Sequence, residues 1–122
     1  MSTELYTILI WGVTFGESTG KPWESSSDNI PTEPWKERLE RRLTLLDAKN
    51  PRCMIGQYGD TDTPKYYAAI TESALSGRHE QAMPVELDTP GPDWEKRLKA
   101  FFTIMDIPWR TPHWNLVTYK TS

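Results

Sequence analysis

The feature that most constrains the fold of this chain is an internal repeat of one amphipathic helical pattern. Apolar residues recur at helical spacing in two segments, and each segment begins with a tryptophan, at Trp35 and at Trp94. The gapless alignment of these segments pairs Arg38 with Arg97, Leu39 with Leu98, Thr44 with Thr103 and Asp47 with Asp106. The repeat period is therefore close to half the chain, which indicates a duplicated unit.

Strand patterns flank the two helices in the same order. Four segments are rich in β-branched and aromatic residues, at 5–11, 52–58, 65–73 and 113–119. Long turn-rich loops, at 17–31 and from Gly77 to Pro92, precede the helices. We therefore predict an α+β fold of the ferredoxin-like split βαβ type (βαββαβ), pseudo-duplicated over roughly 4–60 and 65–120. Such a fold has a four-stranded antiparallel sheet with both helices on one face.

Length and composition predict one domain over residues 1–122, in a reducing compartment. Cys53 is the single cysteine, so no internal disulfide can form. The longest apolar stretch, from Ile8 to Trp11, is far shorter than the roughly 20 residues of a membrane helix, and no basic segment leads into an apolar one at the amino terminus. We expect a cytoplasmic protein, of a cell or of an infected host.

The residues that most often carry chemistry form no recognisable motif. His79, His113 and Cys53 are the only soft metal ligands, and they lie far apart in the sequence. The segment Gly16 to Lys21 is one residue too short for a phosphate-binding loop and is followed by Pro22. We therefore predict no catalytic residues, no metal ligands and no cofactor.

Two segments resemble the RNA recognition motif, which has the same order of helices and strands. Segment 65–70 is similar in part to the signature of the third strand of that motif, and segment 5–6 resembles the start of its first. The resemblance implies that bases stack on Tyr6 and Tyr67, with Lys65 beside them. In its third strand the chain lacks the glycine and two aromatic residues of the motif, and its net charge of −3 is unfavourable for binding phosphates.

The first strand is apolar on both of its sides. Alternation places Tyr6, Ile8 and Ile10 on one face of the sheet and Leu5, Leu9 and Trp11 on the other. Two helices cover only one face of a sheet. We therefore expect the other face to be covered by a second copy of the chain in a homodimer, by another protein, or by the long loops.

These observations predict a small non-catalytic module that binds a protein partner through the uncovered sheet face and the loops. A small acidic chain without active-site motifs also fits an accessory protein of a phage or mobile element that inhibits a host complex. The predicted contact residues are Tyr6, Trp23, Lys65, Tyr67, Trp109 and Tyr119. One alternative is a degenerate RNA-binding module, and another is a small ligand-binding or enzymatic dimer in whose pocket His113, Arg52 or Tyr119 would act.

Overall fold

The computed structural model of the protein describes residues 4–16, 21–23, 33–59, 64–78, 91 and 93–121. This part of the chain forms an α+β fold, as predicted. Its strands are β1 (Glu4–Thr14), β2 (Cys53–Tyr58), β3 (Lys65–Ile70), β4 (Leu75–Arg78) and β5 (His113–Thr121), and its helices are α1 (Trp35–Leu46) and α2 (Trp94–Met105). Neither helix is long and apolar enough to cross a membrane.

Strand β1 is the centre of the sheet. Along one side it pairs with β5, and along the other it pairs with β4 near its start and with β3 near its end. Strand β2 pairs with the outer side of β3, and all of these pairings are antiparallel. Because β3 and β4 share one side of β1, the sheet is four strands wide, in the order β2, β3 with β4, β1 and β5. The prediction of a four-stranded antiparallel sheet is confirmed.

The region after β3 differs from the sequence-based prediction. We expected one strand over 65–73, followed by a loop from Gly77. The strand instead stops at Ile70, forms a short 3-10 turn at Thr71–Ser73 and resumes as β4, so Gly77 is part of a strand. The turn inserts extra residues opposite β1 and interrupts the backbone ladder between the two strands.

Ser73 bridges this interruption. Its buried hydroxyl accepts a hydrogen bond from the backbone N–H of Trp11 at 3.0 Å and donates one to the carbonyl of Ile70 at 2.7 Å. A side-chain oxygen therefore replaces the backbone acceptor that a continuous strand would have offered to β1.

The two helices end in the same way. Each has 12 residues and is followed by an aspartate in the left-handed conformation, Asp47 at φ 48° and Asp106 at φ 60°. In the last turn of each helix a threonine hydroxyl donates to the carbonyl four residues earlier, from Thr44 and from Thr103. Equal local sequences thus produce equal helix ends in the two halves of the chain.

The helix starts agree less closely with prediction. Thr32, expected to cap α1, lies outside the described residues, and Pro34 stands at the N-cap position. Asp93 precedes α2 as predicted, but its side chain forms no capping hydrogen bond. Packing of the apolar helix faces, more than capping, therefore fixes these starts.

The main core lies between the helices and one face of the sheet. It contains apolar residues of β1, β2, β3 and both helices, among them Val13, Ile55, Ile70, Leu98 and Phe101. Two arginines of α1 also enter this layer: Arg38, fully buried, donates to the carbonyl of Met105, and Arg42 donates to that of Ile104. These bonds satisfy carbonyls at the C-terminus of α2, where a helix leaves its last acceptors unbonded.

The second face of the sheet, the one turned away from the helices, carries its own buried cluster. This cluster contains Ile10, Tyr67, Ala69 and Val117, with Ile8, Met54, Tyr58 and Ala74 packed around them. The backbone N–H of Gly59, just after β2, donates to the carbonyl of Thr118 in β5 at 2.9 Å. Since β2 and β5 are the outer strands, the sheet curls around its second face, and these residues are buried within one chain, without a second copy.

Candidate functional site

A row of three leucines, two of them exposed, crosses the helix-facing side of the sheet at one end. Leu75 in β4 and Leu116 in β5 lie directly opposite Leu9 of β1. Leu116 is 70% exposed and Leu75 is 41% exposed. The ring of Trp11, two residues after Leu9 in β1, lies 5.8 Å from the ring of Trp94, the first residue of α2. Helix α2 therefore begins beside Trp11 and leaves the three leucines uncovered. We call Leu9, Leu75 and Leu116 the leucine row.

The outer edge of β5 adjoins the leucine row. The carbonyl of Thr118 points away from β1, because it accepts the hydrogen bond from Gly59. Alternation then directs the backbone groups of Trp114 and Leu116 toward the same outer edge. Within the described part of the chain no strand pairs with this edge between residues 113 and 117. That stretch has neither lysine nor proline, two residue types that commonly block the pairing of edge strands.

Three of the six predicted contact residues, Tyr6, Lys65 and Tyr67, lie on the second face. Lys65 is exposed, and Tyr6 is half-buried. Tyr67 is only 3% exposed, and its ring lies against the backbone of Gly56, where an added Cβ would meet the ring at 2.3 Å. Tyr119 lies opposite Tyr6 by register, but its side chain falls outside the described part. A base-stacking platform needs Tyr6 and Tyr67 exposed together, so the burial of Tyr67 counts against RNA binding there.

The two predicted tryptophans lie elsewhere. Trp23 is buried and packs edge-on against Tyr66, with a centroid distance of 6.5 Å, so it anchors its segment to the core. Trp109 is partly exposed and packs edge-on against Phe102 at 5.3 Å. The six residues therefore do not form one surface, and their role in binding a partner stays a prediction.

A separate cleft of about 500 Å³ lies between α1 and the start of β2. Its lining consists of Trp35, Lys36, Leu39, Glu40, Asn50, Arg52, Cys53, Thr71 and Glu72. Leu39 and Cys53 are buried and form an apolar floor, while the exposed charged side chains stand at the rim. We call this site the Arg52 cleft.

Arg52 has an unusual backbone conformation for a residue with a side chain. Its φ of 57° lies in the left-handed region, which costs a non-glycine residue about 1 kcal/mol. Three contacts hold it there: its N–H donates to Asn50 Oδ1 at 2.8 Å, and its carbonyl accepts from Thr71 N at 3.2 Å and from the Arg97 guanidinium at 3.0 Å. The surrounding structure thus fixes this conformation, and the side chain of Arg52 is exposed at the cleft.

The charges around the cleft are coupled to one another. Arg97 forms an ion pair with Glu72 at 2.5 Å, and this hydrogen bond is the main cause that lowers the pKa of the Glu72 carboxyl and raises the pKa of Arg97. Burial raises the pKa of the Cys53 thiol to about 12. At neutral pH the thiol is therefore uncharged and is a poor nucleophile.

The described part of the chain contains no metal site. Among the described residues, no three His, Cys, Asp or Glu side chains are grouped as metal ligands would be. His79 lies outside the described part, and His113 is exposed at the start of β5, away from the lining of the Arg52 cleft. Of the three residues considered for a pocket, Arg52 lines the cleft and His113 does not, while the side chain of Tyr119 lies outside the described part.

Sequence reasoning did not single out the leucine row or Arg97. Leu116 lies two residues after Trp114 and on the same face of β5, and this spacing does not show where helical cover ends. Comparison of the chain with protein-family models, with curated proteins and with solved structures gave no match.

Proposed function

We propose that the protein is a non-catalytic interaction domain that binds an extended segment of a partner protein as an added strand on the outer edge of β5. One observation carries the proposal: Leu116, 70% exposed, lies on a stretch of edge, residues 113–117, that has outward backbone groups and contains neither lysine nor proline. Strand addition uses the backbone groups of such an edge for affinity and its side chains for specificity.

The leucine row defines what the partner segment must contain. Side chains alternate between the faces of a strand, so every second residue of the added segment would lie beside Leu116 on the helix-facing side. Apolar residues at those positions would extend the row of Leu75, Leu9 and Leu116 by one strand. Burial of a leucine side chain contributes about 1.5–3 kcal/mol, so Leu116 alone accounts for about tenfold in affinity or more.

The finer fold assignment belongs to the same proposal. We infer a ferredoxin-like split βαβ arrangement whose halves are duplicated. The strand order around β1 supports the arrangement, and the equal ends of α1 and α2 support the duplication. That the partner is a host complex inhibited by a phage or mobile-element protein, and that the chain forms a homodimer, stay predictions from the sequence.

Selection from a library of displayed random peptides tests strand addition directly, because the library offers many extended segments to the edge at once. We expect the wild-type protein to enrich peptides with apolar residues at alternate positions. Leu116→Lys, which places a blocking charge on the edge, should weaken their binding by at least about tenfold. The matched control is Leu45→Lys, because Leu45 is 71% exposed on α1, outside the leucine row.

Hydrogen exchange provides a second readout of the same experiment. A bound peptide should protect the backbone amides of Trp114 and Leu116, which face the outer edge. Enriched peptides that bind the Leu116→Lys variant as tightly as the wild type would overturn the proposal, as would a selection that enriches no peptide.

A further inference from the structure

We propose that the Arg52 cleft binds a small aromatic carboxylate, with its ring against Trp35 and its carboxylate between Lys36 and Arg52. This site shares no residue with the leucine row or with β5, so the inference does not rest on strand addition.

The shape of the cleft is the first argument. Its volume of about 500 Å³ lies within the range of roughly 300–1,000 Å³ that is typical of small-molecule sites. Leu39 and the uncharged thiol of Cys53 form a buried apolar floor, and the half-buried indole of Trp35 forms a wall. A flat apolar group fits such a lining, because one of its faces would leave water against Trp35 and its edge would leave water against the floor.

The charge at the rim is the second argument. Although the chain carries a net charge of −3, two exposed cationic side chains, Lys36 and Arg52, line this cleft. The Lys36 ammonium lies over the Trp35 ring, 5.7 Å from its centroid, which places positive charge at the aromatic wall. Of the two carboxylates in the lining, Glu72 is neutralised by its ion pair with Arg97. An anion would therefore meet more positive than negative charge there.

The backbone of Arg52 is the third argument. Glycine would occupy φ 57° without steric cost, yet this position carries a long cationic side chain. Hydrogen bonds to Asn50 Oδ1 and from Thr71 and Arg97 fix the strained conformation. Strain that the surrounding structure maintains in this way is common at binding sites, where it positions a functional side chain. The side chain that it positions here belongs to the cleft.

The test uses 2-naphthoate as the aromatic carboxylate and the neutral 2-naphthamide as its matched control. Two-dimensional NMR of the labelled wild-type protein should show saturable shifts of the Trp35 indole N–H and of the backbone amides of Asn50 and Thr71. Binding of 2-naphthamide should be at least about tenfold weaker, because it cannot form charge-assisted hydrogen bonds with Lys36 and Arg52.

Arg52→Gly separates binding from folding. It removes the side chain and relieves the backbone strain, so we expect a thermal midpoint equal to or above that of the wild type, together with at least about tenfold weaker binding. Arg52→Asn, which also tolerates a positive φ, should lose binding in the same way. Asp106→Gly relieves the same type of strain at the end of α2 and should leave binding unchanged.

Three results would overturn the inference. The first is an absence of saturable shifts at Trp35, Asn50 and Thr71. The second is equal affinity of the wild type for 2-naphthoate and 2-naphthamide. The third is affinity for 2-naphthoate that persists in both Arg52→Gly and Arg52→Asn.

Discussion

Replacement of Ser73 by alanine tests how β1 keeps its hydrogen bonds where the neighbouring strand breaks. Ser73 is 3% exposed, and its hydroxyl contacts both Trp11 N and Ile70 O. Alanine removes a single oxygen and leaves the buried N–H of Trp11 without its acceptor. Water cannot readily take that place, because Trp11 and Ile70 are themselves buried.

The size of the effect follows from these two bonds. A buried donor that loses its partner costs about 1–3 kcal/mol, and the lost bond to Ile70 adds about 1 kcal/mol. We therefore expect Ser73→Ala to lower the free energy of unfolding by about 2–4 kcal/mol. With a urea m-value of about 2 kcal/mol/M, the unfolding midpoint should fall by about 1–2 M.

Urea unfolding followed by tryptophan fluorescence measures this change. The matched control is Thr103→Ala, which removes a hydroxyl that donates to the carbonyl of Lys99 on an exposed helix surface. The control should change stability by less than about 0.5 kcal/mol. If Ser73→Ala is also within about 0.5 kcal/mol of the wild type, the hydroxyl does not replace a ladder bond and the reasoning is refuted.

Two further predictions concern Gly12 and Cys53. A Cβ at Gly12 would lie 2.0 Å from the backbone carbonyl oxygen of Ala68, so Gly12→Ala should force β1 and β3 apart and cost about 3 kcal/mol in urea unfolding. A Cβ at Gly59 would meet only Lys65 Cδ, at 4.0 Å, so Gly59→Ala should cost only about 1 kcal/mol because of its φ of +82°. Equal losses in the two variants would contradict the argument. For Cys53, the pKa rises from 9.0 to about 12 on folding, so the unfolded thiol ionises first. The contribution of this thiol to stability should therefore be constant below pH 9 and should fall as pH increases toward 12. The slope of stability against pH between 9 and 10.5 should be smaller in Cys53→Ala than in the wild type, and identical slopes would contradict the prediction.

Local sequence patterns predicted most of the elements. The helices begin at Trp35 and Trp94, where the apolar spacing begins, because the side chains that face the core recur every three or four residues within one segment. Local sequence also predicted β2: the predicted strand begins at Arg52, and the observed strand begins at Cys53. The break between β3 and β4 was not predictable in this way. It depends on the Ser73 hydroxyl, which accepts a hydrogen bond from the backbone N–H of Trp11, 62 residues away in the sequence.

The candidate sites depended still more on tertiary contacts. Leu116 and Leu45 are both apolar residues in regular elements, and nothing in their local sequence shows that each is about 70% exposed. The Arg52 cleft joins α1, the start of β2 and the turn after β3, three segments that are separate in the sequence. The sequence suggested Arg52 as a pocket residue but did not show its positive φ. That conformation depends on contacts with Asn50, Thr71 and Arg97.

By itself the sequence determined the α+β class, the repeated helix and the need to bury both sides of β1, because these follow from the spacing of apolar residues along one segment. Only the tertiary structure decided how the second side is buried. There the sheet curls until the N–H of Gly59, just after β2, bonds the carbonyl of Thr118 in β5, although β2 and β5 are not neighbours in the sheet. The physical reason is that periodicity records which side of an element avoids water, whereas the identity of the group that covers it depends on contacts between distant parts of the chain.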